Sequence, residues 1–205
     1  MSQFFQIHPE NPQQRLINQA VEIIRGGGVV IYPTDSCYAL GCHIGDKHAL
    51  ERIMRIRKVD SKHNFTLLCS NLAEIGTYAK LDNQAFRLIK NVTPGAYTFI
   101  MNATGEVPRR LVHPKRKTIG LRIPDSPIAL ALLQTLGEPL MTSTLILPGE
   151  EWPMIDPYEM RDVLGNQVDL VIDGGYCGME PTTVVDLTSE TPEVIRVGKG
   201  DPAGL

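Results

Sequence analysis

Apolar positions along the chain switch repeatedly between a helical and an alternating period. Asn11-Pro12 reads as a helix start, after which Leu16, Ile17, Ala20, Val21 and Ile24 recur on one face until Gly26, Gly27 and Gly28 end the run. Residues 29–32 then read as a buried strand. Asp46 is placed to cap a second helix, with Leu50, Ile53 and Met54 as its apolar stripe and Arg52 and Arg55 elsewhere. Residues 65–69 are the next strand candidate. Asn71 with Glu74 three positions on predicts a capping box, and Asp82 caps a helix carrying Phe86 and Ile89. Strands are predicted over 97–101 and 118–123, around a basic loop, followed by a helix over 128–136 that stops at Gly137. Further strands are predicted at 140–143, 170–172, 183–187 and 194–196. This rhythm predicts an α/β fold built on a twisted mixed sheet covered by helices. No repeat, low-complexity tract or Gly/Ser linker divides residues 1–205, so a single domain is expected, with its core over about residues 10–200.

Composition narrows the class. At 42% hydrophobic and 21% charged residues the chain is neither disordered nor collagen-like. No stretch approaches the roughly 18 apolar residues of a membrane span, so no membrane partner is expected. Residues 1–10 lack the basic flank and apolar run of a secretory leader, and the four cysteines are expected to stay reduced, in the cytoplasm. The net charge of -3 conceals an asymmetry: residues 51–122 carry 14 Lys/Arg against 5 Asp/Glu, and residues 150–190 carry 10 Asp/Glu against Arg161 alone. One anion-facing surface, or simply two solvated faces, would give this pattern.

The common phosphate-loop, dinucleotide, nucleophile-elbow and zinc-protease motifs are absent. Cys37, Cys42, His43 and His48 match no zinc spacing and read as packed groups; no protein-bound metal is expected. The most unusual segment is 31–41. There a buried strand runs into Pro33, and Thr34, Asp35 and Ser36 then cluster on a loop before a glycine turn at Gly41. Strand-end loops are where α/β sheets bind ligands, although a turn whose Thr and Asp satisfy backbone groups has the same composition.

This segment resembles the Y-P-T-[DE]-T-x-Y-G-L-G motif of the YrdC/YciO family of threonylcarbamoyl-AMP synthase-like proteins. Four more family motifs follow in order. Residues 93–98 resemble W-P-G-P-x-T, residues 118–124 resemble T-x-A-V-R-x-P with Pro127 after them, residues 180–186 resemble E-S-T-V-V-D, and residues 194–198 resemble the terminal L-R-P-G. In detail the sequence is most similar to the YciO branch. The resemblance implies a mixed open sheet with a basic central cavity. It also implies a nucleotidyltransfer in which L-threonine, bicarbonate and ATP give threonylcarbamoyl-AMP and pyrophosphate, with magnesium accompanying ATP. That adenylate serves tRNA threonylcarbamoyladenosine modification, and the family also implies binding of double-stranded RNA.

Such chemistry needs no covalent protein nucleophile, because carboxylated threonine attacks the α-phosphorus itself; the site positions the reactants and stabilises charge. By position in the motifs, Thr34, Ser36, Arg122, Thr144 and Thr182 are expected to bind threonine. Arg122 offers its carboxylate a planar, bidentate fork. Arg57, Lys58, His63, Thr118 and Arg196 are expected at the nucleotide. Arg109, Arg110, Lys115, Arg116 and Lys117 are the candidates for RNA phosphates, in a loop without stacking aromatics. Two departures matter. The family's K-x-R-P falls on Arg57-Lys58-Val59-Asp60, so an arginine has become Val59, and its S-x-N falls on Thr144-Leu145-Ile146, so an amide has become Ile146. Losing one such charge-stabilising group costs about 3 kcal/mol of barrier. A weakened synthase is therefore expected. The alternatives are a double-stranded RNA or tRNA binder, or an enzyme that breaks threonylcarbamoyl-AMP down without making it.

Overall fold

The computed structural model describes residues 1–205. In chain order the elements are β1 (Gln3–Gln6), α1 (Gln14–Arg25), β2 (Val30–Pro33), β3 (Tyr38–His43), α2 (Lys47–Arg57), β4 (Thr66–Leu68), α3 (Leu72–Tyr78), α4 (Asn83–Val92) and β5 (Tyr97–Asn102). There follow β6 (Thr118–Arg122), α5 (Pro127–Leu136), β7 (Leu140–Thr144), α6 (Pro157–Leu164), β8 (Leu170–Asp173), β9 (Thr183–Asp186) and β10 (Glu193–Arg196). All ten strands join one open sheet in the order β1-β8-β2-β3-β7-β4-β6-β5-β9-β10. Pairing is parallel for β1 with β8, β2 with β8, β4 with β6 and β5 with β9, and antiparallel elsewhere. The mixed α/β sheet read from the sequence is the observed fold. No helix is long and apolar enough to cross a membrane.

The anticipated caps at Asp46 and Asp82 form, their side chains accepting from the N–H groups of Ala49 and Ala85 at 2.8 Å. Asn71 accepts from Glu74 N–H at 2.9 Å, and the Glu74 carboxylate reaches back to Ser70 rather than to Asn71, a box one residue wider than expected. Other expectations need correction. Asn11-Pro12 does not open α1: His8 Nδ1 accepts the Asn11 N–H, and the helix starts at Gln14 without a side-chain cap. Phe86 lies on the exposed side of α4, while Ile89 is buried. The sheet begins before residue 10, because β1 pairs along β8. Gly41 makes no turn; it lies inside β3 opposite Val30, where a Cβ would come within 2.7 Å of the Tyr32 ring.

Strand alternation divides the sheet into two different faces. On one face a continuous core runs beneath α2, α3, α4 and α6, with Ile31, Leu40, Leu67, Phe99, Leu121 and Met141 from the strands. On the other, α1 and α5 cover Val30, Tyr32, Leu140, Leu170 and Ile172. Past those two helices the second face changes character. Thr66, Gly120 and Thr142 lie side by side in register across β4, β6 and β7, and Thr98 stands beside Val184 on β5 and β9. Strand β6 states the division most plainly. Ile119 and Leu121 enter the core, while Gly120 and Arg122 face a cavity.

Candidate functional site

That cavity has a volume of about 350 Å³, and α2 is the only helix to contribute to it, through its last residue Arg57. Its floor is Gly120, where a Cβ would meet Thr66 Oγ1 at 2.6 Å, so cavity depth depends on the absence of a side chain. Eight of the sequence candidates meet here: Thr34, Ser36, Arg57, His63, Arg122, Thr144, Thr182 and Arg196.

One end is built around the turn between β2 and β3. The Thr34 hydroxyl donates to Cys37 C=O at 2.7 Å and accepts from the N–H groups of Ser36 and Cys37 at 3.1 and 3.2 Å. These bonds use its hydrogen-bonding capacity, so Thr34 shapes the loop and leaves Ser36 Oγ as the group facing inward. Arg122, 6% exposed, pairs with the equally buried Asp35 and lies 3.3 Å from Ser36 Oγ through Nη1. Its Nε is buried with no partner. Asp35 is further held through Oδ2 by the Asp125 N–H at 2.9 Å.

On the β9–β10 side Arg196 donates to Thr182 C=O from both Nε and Nη2, at 3.1 and 2.8 Å, and the Thr182 hydroxyl bonds Thr98 Oγ1 at 2.8 Å, on the strand beside Arg122. Arg57 donates to Ser143 Oγ, and its Nε is also buried and unpaired. Burial lowers the Arg57 and Arg196 pKa values from the ordinary 12.5. His63 packs edge-on to Phe65, with ring centroids 5.3 Å apart. Burial, then the Arg57 charge, push its imidazole below 6.5 despite the opposing effect of Asp60, so it is neutral near pH 7. It can supply a neutral hydrogen bond there, not the charge of a missing arginine. The apolar part of the lining is made by Ile100, Ile146, Val184 and Ile195.

Two candidates lie elsewhere. Lys58 ends α2 in a left-handed conformation (φ 50°) that turns it, with Val59, toward an exterior hollow beside Glu51 and Arg55. Thr118 is buried two residues before the Gly120 floor and does not line the cavity. The departure at Val59 is therefore outside the site, whereas Ile146 is inside it. Thr66, Thr98, Thr142 and Ser143 also line the cavity. For the three threonines the signal was available: hydroxyls alternating with the core residues Leu67, Phe99 and Met141 on short strands.

The basic loop is separate. Arg109, Arg110 and Lys117 edge a second hollow with Ser61 and Thr104, and all five loop cations are exposed. Arg116 alone connects to the first cavity, donating to Asn64 Oδ1 at 2.8 Å, and Asn64 lines the cavity mouth. No three His, Cys, Asp or Glu side chains gather as metal ligands.

A sheet face with three guanidiniums and several hydroxyls lining one cavity has the chemistry to hold an anion on an α/β scaffold. The comparisons give that class a family. A family model described as "Telomere recombination", named for Sua5, YciO and YrdC, matches residues 22–198, and the chain belongs to this family. It is 64% identical to the YciO protein of Escherichia coli over 201 residues, 98% of each chain. The crystal structure of E. coli YciO matches with a TM-score of 0.96 at 63% identity, covering 100% of this chain and 99% of that one. A threonylcarbamoyl-AMP synthase of Coxiella burnetii is 31% identical over 183 residues, 88% of this chain and 96% of that protein. P. abyssi Sua5 complexed with L-threonine matches with a TM-score of 0.87 at 25% identity, over 95% of this chain and 57% of that one.

Proposed function

We propose that the cavity binds L-threonine at Arg122 and the phosphoryl groups of an adenosine nucleotide at Arg57 and Arg196, and that it forms threonylcarbamoyl-AMP slowly. The observation that carries this reading is the convergence of Arg57, Arg122 and Arg196 on one hydroxyl-lined cavity. Ser36 and Arg122 suit the amino-acid carboxylate, with Thr144 and Thr182 supplying hydroxyls nearby. Threonine and bicarbonate combine with loss of water; the resulting carbamate oxygen attacks the α-phosphorus of ATP, and the bond to pyrophosphate breaks. The lining has no carboxylate, so magnesium arrives with the triphosphate rather than on the protein.

The nucleotide end is short of charge for ATP. Arg122 is paired with Asp35 and His63 is neutral, leaving Arg57 and Arg196 as the guanidiniums with no carboxylate partner. Two cations match the single phosphoryl group of threonylcarbamoyl-AMP, whose carboxylate goes to Arg122, better than a triphosphate, which favours binding or breakdown of the adenylate over rapid synthesis. Calorimetric titration with L-threonine, ATP and threonylcarbamoyl-AMP separately, beside a pyrophosphate-release assay, tests this. Tight adenylate binding with slow release supports it; no binding of any of the three refutes it.

A second reading is supported by the exposed basic loop. Arg109, Arg110, Lys115, Arg116 and Lys117 form a surface that duplex RNA or tRNA phosphates would fit, outside the cavity.

A further inference from the structure

We infer that Asp35 is a positioning and specificity-determining residue: by pairing with Arg122 it makes that end of the cavity accept a carboxylate and reject a phosphate. Asp35 does not line the cavity. It is held from three directions: by Arg122 Nη2 on Oδ1, by the Asp125 N–H on Oδ2 at 2.9 Å, and by Lys199 Nζ on its carbonyl oxygen. The side chains of the pair are 8% and 9% exposed, so water and salt screen the charges little.

The guanidinium is fixed at one corner and compensated in charge, yet keeps a buried, unpaired Nε donor. A monoanionic carboxylate can lie against the guanidinium and Ser36 Oγ while bringing a single negative charge toward Asp35. A phosphate dianion brings a second negative charge toward a buried carboxylate that cannot turn away, and repulsion there is strong. Arg57 and Arg196 face no carboxylate, so phosphoryl groups are directed to them. Asp35 thereby sets which way round a ligand with both groups lies. This deepens the threonine and nucleotide reading and rests on it for the identity of the carboxylate.

The test uses inorganic phosphate and L-threonine as probes against the wild type, Asp35→Asn, Asp35→Glu and the double variant Asp35→Asn/Arg122→Ala, with melting followed in parallel. Asn keeps an acceptor for the Asp125 N–H and removes the charge. Asp35→Asn is expected to tighten phosphate about tenfold and weaken L-threonine about tenfold, the phosphate gain vanishing in the double variant and Asp35→Glu staying near wild type. Unchanged phosphate affinity in folded Asp35→Asn, or equal loss of both ligands, overturns the assignment. The wild type gives an arm that needs no variant: phosphate should displace AMP and leave acetate or L-threonine bound, and displacement of the carboxylate overturns the assignment. A wild type that ignores L-threonine refutes the threonine reading alone, because the phosphate and acetate measurements still decide the role of Asp35.

Discussion

The two ends of the cavity use the same residue type under opposite conditions. At the Arg122 end the guanidinium is tied to a carboxylate and a serine, on a loop whose one threonine is consumed in holding its shape. At the Arg57 end the guanidinium has one hydroxyl partner, a neutral histidine and an apolar wall that includes Ile146. Preorganised donors bind one ligand geometry well, while a sparse set of donors beside apolar groups tolerates several. The contrast teaches that the proposed amino-acid end is built in advance and the proposed nucleotide end is loose.

The most damaging change to the built end is Arg122→Ala. It should cost about 2 kcal/mol or more in L-threonine binding, roughly a thirtyfold weaker Kd. It also leaves the buried Asp35 carboxylate without its guanidinium, so melting should fall with it, by the equivalent of about 3–5 kcal/mol. Arg122→Lys is not expected to restore binding, since a point charge lacks the fork. Full affinity and an unchanged melting temperature in the alanine variant would erase the distinction between the ends.

The loosened end is sharpened by Ile146→Asn, which adds an amide donor to the cavity lining and, on the proposed reaction, should raise threonine-dependent pyrophosphate release about tenfold. Val59→Arg is the matched control. Its side chain starts from the exterior hollow, so neither rate nor nucleotide affinity should move. If Val59→Arg restores activity and Ile146→Asn does not, the boundaries of the nucleotide end are wrong.

A smaller effect comes from His63. Its folded pKa lies below its unfolded value of 6.5, so the unfolded chain binds the proton first. The stability contributed by keeping it neutral is therefore present above about pH 6.5 and is lost as pH falls through the folded value. His63→Gln should flatten that acid limb of the melting curve. Protonation also adds a cation beside Arg57, so AMP affinity should rise over the same interval in wild type and not in the variant. A rise in both removes His63 from the nucleotide end.

The smallest effect on the cavity is expected from neutralising the basic loop. Replacing Arg109, Arg110, Lys115, Arg116 and Lys117 with alanine should leave L-threonine affinity within about twofold, while duplex RNA binding weakens and loses its steep salt dependence. RNA binding that keeps its salt slope would dismiss the loop as the RNA surface.

What could be read beforehand follows the range of the forces involved. Asp46, Asp82 and Gly137 mark helix ends through bonds a few residues long, and all three were legible. Gly41 was misread as a turn because its partner is the Tyr32 ring, which only strand pairing brings beside it. Arg122 and Arg196 were found through ordered motifs. Motif position failed at Lys58, whose left-handed backbone turns it away, and at Thr118, one strand step beyond the floor. Asp35 stood in the motif in plain view, but its part depends on a partner 87 residues away.

That span has a kinetic consequence. Asp35 is joined to Arg122 across 87 residues and to Lys199 across 164, while β9 must find β5 before Thr182 and Arg196 reach the cavity. Contacts of such separation close large loops, and closing them is slow. The helices α2 to α4 and their core can collect on nearer contacts. The cavity is therefore among the last parts of the molecule to assemble, so recovery of ligand binding after dilution from denaturant lags behind recovery of helical signal.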